Sequence, residues 1–562
     1  MKKKSKLPLP DTLFTTRAGN TPHLLWGLSP AQRKGLPKKS EKLLSALYRA
    51  ATQGDVSVAS LLRNLDLATL LPTLPGSALT LLAVARTLPL LDDETRKSWL
   101  AGLQGWVSDT HLFHAATDPL EFLWLAAELP ATLAFVAPEA DDAAQWKSLA
   151  HDAVVEMFRD WTERGFPCAS LMDISRLLLA GLVRIRFLFP EFFQGDLAAS
   201  FNTWVRTQIR WTRPDGSLPF SSKKRQTACW TPELFIAALQ LDGDLADKKL
   251  GITILPDLSS AKKHAPHELP PCCEHSEETA SASLRCGWKN GGVQVCWYET
   301  GSSASDSRHD VRLELSNYRT PLLSGIWQTE LRFDGIPLSP QSEWVENCWL
   351  DSERSCFLEL EQDWTEGVRL QRQIFVAKKD EFALLADAVL TPENVSGGLH
   401  YVSRIPTFDQ TTFRFAPDAM ECTVHDAAGP VGMLLPLALP EWRTHLKSGQ
   451  RFAIKKQALE YAGMSEQGSL YMPLFCDLSP VRFGNALTWR TLTVAQRANA
   501  VPPSVAAGFR VMISEEQWLL YRSLAPTANR SVLGYNLLAE TLVARFAQDG
   551  AVEELVTVAG AE

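Results

Sequence analysis

The pattern of apolar and polar positions changes once along the chain, and this change predicts two parts. From Glu41 to about residue 243, apolar residues recur every three or four positions, which is typical of amphipathic helices. Beyond residue 284 the period becomes two, as in Val311-Arg312-Leu313-Glu314-Leu315, which is typical of strands with one buried face. We therefore expect an α+β multidomain protein with a helical N-terminal half and an antiparallel β half.

The helical half shows the start and stop signals of separate helices. Thr117-Asp118-Pro119 is typical of a cap and first turn, and Leu188-Phe189-Pro190 is typical of a helix end. After Glu41, the periodicity predicts helices near residues 57–71, 77–90, 92–107, 119–136, 142–164, 170–189, 195–211 and 231–241. An α/α toroid of antiparallel helical hairpins fits this pattern, although no exact sequence repeat demonstrates it.

The β half carries turn signals between its predicted strands. Asn290-Gly291, Asp334-Gly335 and Asp549-Gly550 each favour a tight hairpin turn. No sequence of helical length interrupts the strands, so we predict a large antiparallel β-sandwich. The predicted domains are a basic arm at residues 1–40, the helical domain at 41–243, a polar linker at 244–283 and the sandwich at 284–562.

Composition supports two packed domains and excludes some partners. The chain has 562 residues, of which 45% are hydrophobic and 21% are charged, so a large core is available. The formal net charge is -8, so nucleic acid is not an expected partner and an anionic ligand needs a local basic pocket. Eighteen Trp hint at sugar stacking, with core packing as the commoner explanation.

The N-terminus, the apolar runs and the cysteines predict a cytoplasmic protein without a membrane span. The lysines among the first six residues are not followed by the apolar segment of a secretory signal. The apolar runs Leu177–Leu182 and Met433–Leu439 are far shorter than the roughly 20 residues of a spanning helix. The ten Cys are scattered, which favours a reducing compartment.

Short segments spread in order over about residues 110–560 form a recognisable set. In the β half they are Arg308-His309-Asp310-Val311-Arg312-Leu313-Glu314-Leu315, Leu370-Gln371-Arg372-Gln373, Leu384-Leu385-Ala386-Asp387-Ala388-Val389, Tyr521-Arg522-Ser523-Leu524 and Asn529-Arg530-Ser531-Val532-Leu533-Gly534-Tyr535-Asn536. In the helical half they are Glu128-Leu129-Pro130-Ala131-Thr132-Leu133-Ala134 and Arg213-Pro214-Asp215-Gly216-Ser217. Together they resemble the heparinase II/III-like family, which implies an α/α toroid followed by an antiparallel β-sandwich.

The resemblance also implies a reaction, the β-elimination of uronic-acid polysaccharides in a cleft between toroid and sandwich. This reaction neutralises the uronate carboxylate, removes the C5 proton with a base, and protonates the leaving glycosidic oxygen. Lyases of the family typically use Tyr, His, and Asn or Arg. The candidate catalytic residues here are His111, His114, His309 and Tyr318, with Glu128 close in sequence to the first His pair.

One departure from the family pattern keeps a second function open. The stretch Leu218-Pro219-Phe220-Ser221-Ser222 has no Tyr where related enzymes offer one. Tyr298 or Tyr318 from the β half is a candidate replacement. The alternative to a polysaccharide lyase is a catalytically degenerate glycan-binding or scaffold protein of the same fold.

Arginines supply the candidate contacts for an acidic polysaccharide or oligosaccharide. Planar guanidinium groups hold a carboxylate or sulfate through two hydrogen bonds, so Arg176, Arg184, Arg213 and Arg308 are the predicted substrate-binding residues. Solvated surface arginines without a ligand are the alternative.

Two sets of residues suggest a bound metal, although the elimination itself requires no cofactor. His309 and Asp310, with His400 as a third ligand, form a speculative site for a structural divalent ion such as zinc. The second set lies in the predicted linker and consists of His264, His267, Cys272, Cys273 and His275. Its ligand types suit zinc, but its spacing does not match the usual paired knuckles, and a polar linker is the alternative.

Overall fold

The computed structural model describes residues 75–108, 114–115, 119–163, 169–220, 232–242, 244–255, 268–300, 308–393, 395–547 and 549–560. Two compact units meet in the sequence at Pro270 and Pro271, and Pro219 and Phe220 group with the second unit. We call them the helical unit and the β unit. The predicted basic arm and the helices predicted before residue 75 lie outside the described residues.

The helical unit confirms the predicted helices from residue 77 onward, each within a few residues. Its α-helices are α1 (Pro75–Thr87), α2 (Asp93–Ser108), α3 (Pro119–Glu121), α4 (Leu129–Val136), α5 (Ala143–Glu163), α6 (Ser175–Leu188), α7 (Asp196–Arg210), α8 (Pro232–Asp242) and α9 (Leu245–Ile254). A π-helical segment, Phe122–Glu128, joins α3 to α4, and 3-10 turns occupy Leu88–Leu90, Ala169–Ile174 and Pro190–Phe192.

The continuous helical stretch from α3 to α4 forms the centre of the helical unit. Gly181 of α6 approaches it so closely that an added Cβ would lie 2.5 Å from a Leu123 methyl carbon, so only glycine fits there. Among the described residues, this stretch, Pro119–Val136, is the one helix long and apolar enough to cross a membrane, and 83% of it is buried. The expected absence of a membrane span stays a prediction.

A buried ion triad links three helical segments of this unit. Glu128 ends the π-helical segment and is fully buried. Its carboxylate accepts hydrogen bonds from Arg184 Nε at 2.6 Å and Nη2 at 2.8 Å, and from Arg86 Nη2 at 2.9 Å. Burial lowers the pKa of Arg86 to about 10, against the nearby Glu128 carboxylate, which raises it. The single carboxylate offsets part of the charge of the two arginines in the core.

The predicted linker at residues 244–283 is wrong at its start, where the structure has a helix, and at its end, where strands begin; residues 256–267 lie outside the described residues. Residues 245–254 form α9, whose first turn is capped by the Asp244 side chain accepting from the Ala246 N–H at 2.8 Å. Arg206 of α7 pairs with Asp244 at 3.0 Å and with Asp247 at 2.6 Å. The charges that suggested a solvated linker instead fasten α9 to α7, and strands begin again at residue 274.

In the described part of the β unit, twenty-seven strands form five sheets, and neighbouring strands pair in the antiparallel sense. The first half comprises β1 (Glu274–Ser276), β2 (Ser281–Arg285), β3 (Gly292–Thr300), β4 (Arg308–Asn317), β5 (Thr320–Ile326), β6 (Gln328–Phe333), β7 (Ile336–Pro337), β8 (Val345–Asp351), β9 (Ser355–Asp363), β10 (Arg369–Ala377), β11 (Phe382–Leu390), β12 (Leu399–Pro406) and β13 (Thr412–Phe415). The second half comprises β14 (Cys422–His425), β15 (Pro430–Pro436), β16 (Arg451–Lys455), β17 (Ala458–Ser465), β18 (Leu470–Asp477), β19 (Leu487–Leu492), β20 (Ala495–Gln496), β21 (Asn499–Ala500), β22 (Ala506–Ile513), β23 (Glu516–Ser523), β24 (Arg530–Val532), β25 (Tyr535–Leu537), β26 (Ala539–Phe546) and β27 (Val552–Ala559). Short 3-10 turns occupy Thr365–Gly367 and Arg443–His445.

The strand order within the sheets confirms the predicted hairpins. The five orders are β1-β2-β3-β4-β5, β13-β14-β15-β18-β11-β10-β9-β8, β16-β17-β12-β6-β7, β19-β22-β23-β26-β27 and β21-β20-β24-β25. Asp334 and Gly335, with φ of 47° and 83°, make the turn between β6 and β7. Positive φ at both central residues is the geometry that an Asp-Gly hairpin favours.

The central strands are buried on both faces, which the alternating pattern does not predict. Every residue of β10 after Arg369 is buried, and so is every residue of β11 before Leu390. One hydrophobic cluster contains side chains from β2 to β4, β9 to β11, β15, β18, β22 and β23. Because other sheets cover both faces, polar residues of these strands are enclosed and must find partners inside the core.

We expect the buried triad to contribute strongly to the stability of the helical unit. Glu128→Gln leaves two buried arginines without their counter-charge, and we expect a loss of about 3–5 kcal/mol in the free energy of unfolding. Urea denaturation followed by circular dichroism measures it. The control is Glu191→Gln, which breaks the exposed Lys147–Glu191 pair and is expected to change stability by less than about 1 kcal/mol. Equal losses in the two variants would contradict the role of the triad.

Candidate functional site

A pocket of about 830 Å³ in the β unit is lined by three tryptophans. Trp327 lies between β5 and β6, Trp344 lies just before β8, and Trp364 follows β9. The remaining lining residues are Asp310, Gln328, Thr329, Glu330, Leu331, Arg332, Pro337, Leu338, Pro340, Gln341, Gln362 and Arg372. Pockets that combine aromatic walls with a few polar groups are typical of small-molecule and sugar binding. We call this site the tryptophan pocket.

Arg372 of β10 holds two of the tryptophans in position. Its guanidinium lies 3.9 Å from the Trp327 ring centre and 4.8 Å from that of Trp344. It donates to Asp387 from Nε at 2.9 Å and from Nη2 at 3.0 Å, and to the Trp327 carbonyl oxygen at 3.1 Å. A guanidinium held by a carboxylate on its edge and by rings on its faces has little freedom. Arg372 therefore forms a fixed support for the tryptophan rings of the pocket.

Further hydrogen bonds fix the orientation of the indoles. Trp327 Nε1 donates to Ser403 Oγ at 2.7 Å, and Trp364 Nε1 donates to Gln362 Oε1 at 3.1 Å. The Asp387 carboxylate also accepts from the Tyr401 hydroxyl at 2.8 Å. Because these partners are themselves in the core, the walls of the pocket are set before any ligand enters.

The charged groups at the pocket differ in the hydrogen bonds and ion pairs that they already form within the protein. Glu330 pairs with Arg404 Nη1 at 2.5 Å. Arg332 is exposed and donates only weakly, at 3.5 Å, to the Gly335 carbonyl oxygen. Within the described ranges no carboxylate forms an ion pair with Arg332, so its guanidinium remains available to bind an anion.

One residue of the predicted motif Arg308-His309-Asp310 lies at the tryptophan pocket. Asp310 is half-buried in β4 and lines the tryptophan pocket. In the register of β3 and β4, Asp310 lies directly opposite Tyr298, whose side chain lies outside the described residues. His309 and Arg308 occupy the preceding positions of β4, and their side chains lie outside the described residues. Their predicted roles stay predictions.

Tyr318 does not lie at the same site as His309. It occupies the turn at the far end of β4, with φ of 41°, and the Arg319 guanidinium lies 5.6 Å from its ring centre. At about 3.3 Å per residue, the length of β4 separates the two positions by roughly 25–30 Å. One sugar unit does not span that distance, so the two residues cannot share one catalytic step.

The structure describes the side chains of two of the three predicted metal ligands in the β unit, Asp310 and His400. His400 is exposed in β12, where it lies opposite Arg332 in the register with β6. Among the side chains that the structure describes, no group of three close metal ligands includes Asp310 or His400. The set of His309, Asp310 and His400 stays a prediction, because one of its members is not described.

The second predicted zinc set is divided between two environments. His264 and His267 lie outside the described residues. His275 hydrogen-bonds to Glu346 and stacks on Trp349, with ring centres 4.6 Å apart. Cys273 instead forms a disulfide with Cys356, 83 residues away. The structure thus separates the histidine from the cysteines that the sequence places beside it.

The arginines of the helical unit also have different surroundings. Arg184 belongs to the buried triad, which assigns its guanidinium to Glu128. Arg176 is buried in α6, with Nη2 3.5 Å from Thr212 Oγ1, next in sequence to Arg213. Arg213 donates from Nη1 to Ser217 Oγ at 3.0 Å across a tight turn. The structure therefore brings Arg176 and the Arg213 turn together and leaves Arg184 in the ion triad.

Glu128 is not available as the acid–base partner considered for the histidines at 111 and 114. His114 is exposed, whereas Glu128 is fully buried between two arginines. The acid–base role suggested for His114 with Glu128 is therefore wrong, because the carboxylate is enclosed. His111 lies outside the described residues.

Comparison with solved structures shows which fold this is. A heparinase III crystal structure matches 91% of this chain and 86% of its own length, with a TM-score of 0.60 at 10% identity. A heparinase III gene product matches 92% and 89%, with a TM-score of 0.56 at 10% identity. The heparan sulfate lyase of Pedobacter heparinus matches 89% and 84%, with a TM-score of 0.52 at 11% identity. This chain has the fold of these proteins, and the predicted resemblance is confirmed at the level of fold.

The sequence comparisons add no closer relative. No family model matches the chain, and no curated protein matches it.

Three tyrosines of the β unit are enclosed and are not available as bases. Burial first, and then the adjacent Asp387, raise the pKa of Tyr401 well above its usual value. Burial likewise raises the pKa of Tyr461 and of Tyr471. Their hydroxyls are engaged in the core, Tyr461 with the Pro473 carbonyl oxygen at 3.2 Å and Tyr471 with Gln373 at 2.8 Å.

These tyrosines predict a loss of stability at high pH. In the unfolded chain each ionises near pH 10, whereas in the folded protein each keeps its proton above that pH. Their stabilising effect is therefore complete below about pH 10 and is lost as the pH rises further, by up to about 1.4 kcal/mol per pH unit for each.

Alkaline titration followed by phenolate absorbance tests this expectation. The three phenols should ionise only as the protein unfolds, and Tyr401→Phe should make the pH dependence less steep. Ionisation of all tyrosines while near-ultraviolet circular dichroism still reports a folded protein would contradict their enclosure.

Proposed function

We propose that this protein binds a uronate-containing polysaccharide at the tryptophan pocket and cleaves it by β-elimination. The observation that carries the proposal is the position of this pocket, with Asp310 in its wall, within a chain that has the heparinase III fold. The names of the similar structures refer to lyases of acidic glycans, which supports the same class of ligand. The finer architecture, an α/α toroid followed by a β-sandwich, is part of the proposal.

The pocket offers the two kinds of contact that a uronate requires. A pyranose ring has an apolar face of C–H groups, and an indole ring is a flat surface on which that face can stack. The uronate carboxylate requires a cationic partner, and Arg332 is the exposed guanidinium at the pocket. Binding there would withdraw charge from the carboxylate and so acidify the C5 proton of the sugar.

The chemical step requires one base and one acid on the bound sugar. A base takes the C5 proton, the electron pair forms the C4–C5 double bond, and the C4–O bond breaks. An acid then protonates the leaving oxygen, so the step needs no oxidant and no cofactor. Asp310 and the register neighbour Tyr298 are the residues that we propose for these two proton transfers. Arg176 and the Arg213 turn remain proposed contacts for acidic groups of a polysaccharide.

The alternative is a protein that binds the glycan without cleaving it. The enclosed tyrosines favour it, because Tyr401, Tyr461 and Tyr471 cannot serve as bases. The distance between Tyr318 and the pocket residues removes one more candidate. Under this alternative the tryptophan pocket still binds the glycan, and Asp310 has no catalytic role.

Ultraviolet absorbance of the unsaturated product tests the lyase proposal. The protein is incubated with heparan sulfate and with a panel of other uronate polymers, and we expect absorbance to rise with at least one of them. Asp310→Asn should lower the rate at least 100-fold by removing a proton-transfer group. Asp409→Asn, which changes an exposed carboxylate of the same unit, should leave the rate unchanged. Binding without any product would support the alternative and refute the lyase.

Affinity measurements test the pocket independently of catalysis. Trp344→Ala removes one wall, and we expect the dissociation constant for the bound polymer to rise about tenfold, or ~1.4 kcal/mol. Trp442→Ala, at a tryptophan that is 45% exposed and lies outside the pocket, is the matched control. An unchanged affinity in Trp344→Ala, with the native circular dichroism spectrum retained, would place the glycan elsewhere.

A further inference from the structure

Four cysteines meet at one end of the β unit, far more densely than the sequence suggests. Cys272 and Cys273 directly precede β1, Cys286 follows β2, and Cys356 is the second residue of β9. Cys273 and Cys356 form the disulfide, whereas Cys272 and Cys286 are free and half-buried. The heparinase comparison does not account for this cluster, and neither does the proposed elimination.

The disulfide pair adjoins a carboxylate that is placed as a metal ligand would be. Cys356 Sγ lies 3.0 Å from Asp351 Oδ1. The ligand atoms of Cys273, Cys356 and Asp351 all lie within 4.8 Å of one another, and among the described side chains no other group of three meets this criterion. Once the disulfide is reduced, the two sulfurs can separate, and with the adjacent carboxylate oxygen they offer three ligand atoms of types that bind zinc.

A third sulfur lies against the same group. Cys272 Sγ is 3.4 Å from the Arg285 carbonyl oxygen, and Cys273 Sγ is 3.5 Å from that same oxygen. Both sulfurs contact one carbonyl oxygen, which makes Cys272 the neighbouring free thiol that we consider as a fourth ligand, although it lies outside the group of three within 4.8 Å.

The ammonium group of Lys378 lies at the cluster and offsets part of the negative charge that thiolates would bring. Lys378 Nζ lies 2.6 Å from Asp351 Oδ1. A divalent ion bound by three thiolates and a carboxylate would leave a net negative charge, which the ammonium group reduces. Thiolates are soft ligands that suit zinc, and groups outside the ligand set usually support such sites through hydrogen bonds.

We propose that reduction of the Cys273–Cys356 disulfide turns this cluster into a binding site for a soft divalent cation such as Zn²⁺. The ligands are Cys273, Cys356 and Asp351, with Cys272 as the fourth. A dithiol reductant supplies two electrons and two protons, becomes a disulfide itself, and leaves two thiols. The cation then displaces the thiol protons and forms metal–thiolate bonds.

The disulfide and the bound cation have the same physical effect, because each links the segment before β1 to β9. The disulfide fastens the segment before β1 to β9 across 83 residues, which lowers the entropy of the unfolded chain. In a reducing compartment that link is lost unless an ion replaces it. A thiolate-bound cation restores the link between the same two segments, so the β unit keeps its closure under either condition.

Cobalt substitution tests the site with the full chain. The protein is reduced with a phosphine, which does not bind the metal strongly, and titrated with Co²⁺ without oxygen. We expect one equivalent to bind, with the visible bands of tetrahedral cobalt and a near-ultraviolet thiolate charge-transfer band. The oxidised protein should show no thiolate band. Absence of the band from the reduced protein would overturn the proposal.

Variants and alkylation identify the ligands. Cys356→Ser should abolish the thiolate band or weaken cobalt binding at least 100-fold, and Asp351→Asn should weaken it at least tenfold. Cys476→Ser, at a fully buried cysteine outside the cluster, is the control and should leave binding unchanged. Zn²⁺ should protect Cys273 and Cys356 of the reduced wild-type chain from iodoacetamide, as read by mass spectrometry. Full alkylation of both in the presence of Zn²⁺ would contradict the assignment even if a variant failed to fold.

Discussion

The buried pair of Arg372 and Asp387 is the interaction on which the β unit and its pocket depend. The pair lies on neighbouring central strands, where both faces of the sheet are covered, so neither charge can be left to water. Burying a charge is tolerated only when its partners are complete. The partners of Arg372 are Asp387, the Thr329 hydroxyl, the Trp327 backbone and two indole faces, and all of these residues except Asp387 line the pocket. Core stability and site geometry are therefore set by one network.

The same principle explains what the recognisable sequence segments do. Arg522 is fully buried and pairs with Glu359 at 3.1 Å and with Glu540 at 2.7 Å. Arg530 donates to Ser523 Oγ at 2.6 Å. These segments supply enclosed electrostatic contacts between strands, and such contacts specify which strands pair. The chain shares its fold with a heparinase III structure at 10% identity, and a shared fold alone does not carry over the reacting residues.

Much of the fold could be predicted from the sequence because hydrophobic period and turn chemistry act locally. The helices after residue 77 and the hairpins at Asp334-Gly335 and Asp549-Gly550 are such cases. The helix at residues 245–254 is not predicted because its charged residues resemble those of a solvated linker, whereas in the structure Leu250 and Ile254 are buried and Asp247 pairs with Arg206. Long-range pairing of this kind leaves no local signal.

The site was harder to predict, although one signal was present. Arg372 lies seven residues before Lys379 and Asp387 lies seven after Asp380, so a hairpin that turns at these two residues places Arg372 opposite Asp387, as the register of β10 and β11 shows. The three tryptophans come from separate connections, and their meeting depends on how sheets pack, which periodicity does not encode. Titratable residues are also poor guides by themselves. His114 and Glu128 looked like an acid–base pair along the chain, yet one is exposed and the other is enclosed.

The crystal structure of the Asp310→Asn protein with a uronate-containing tetrasaccharide tests the central claim most directly. The account predicts a sugar ring stacked on an indole of the tryptophan pocket, with its carboxylate at Arg332 and its C5 carbon facing residue 310. An oligosaccharide bound elsewhere on the protein, with the tryptophan pocket empty at a saturating concentration, would contradict it.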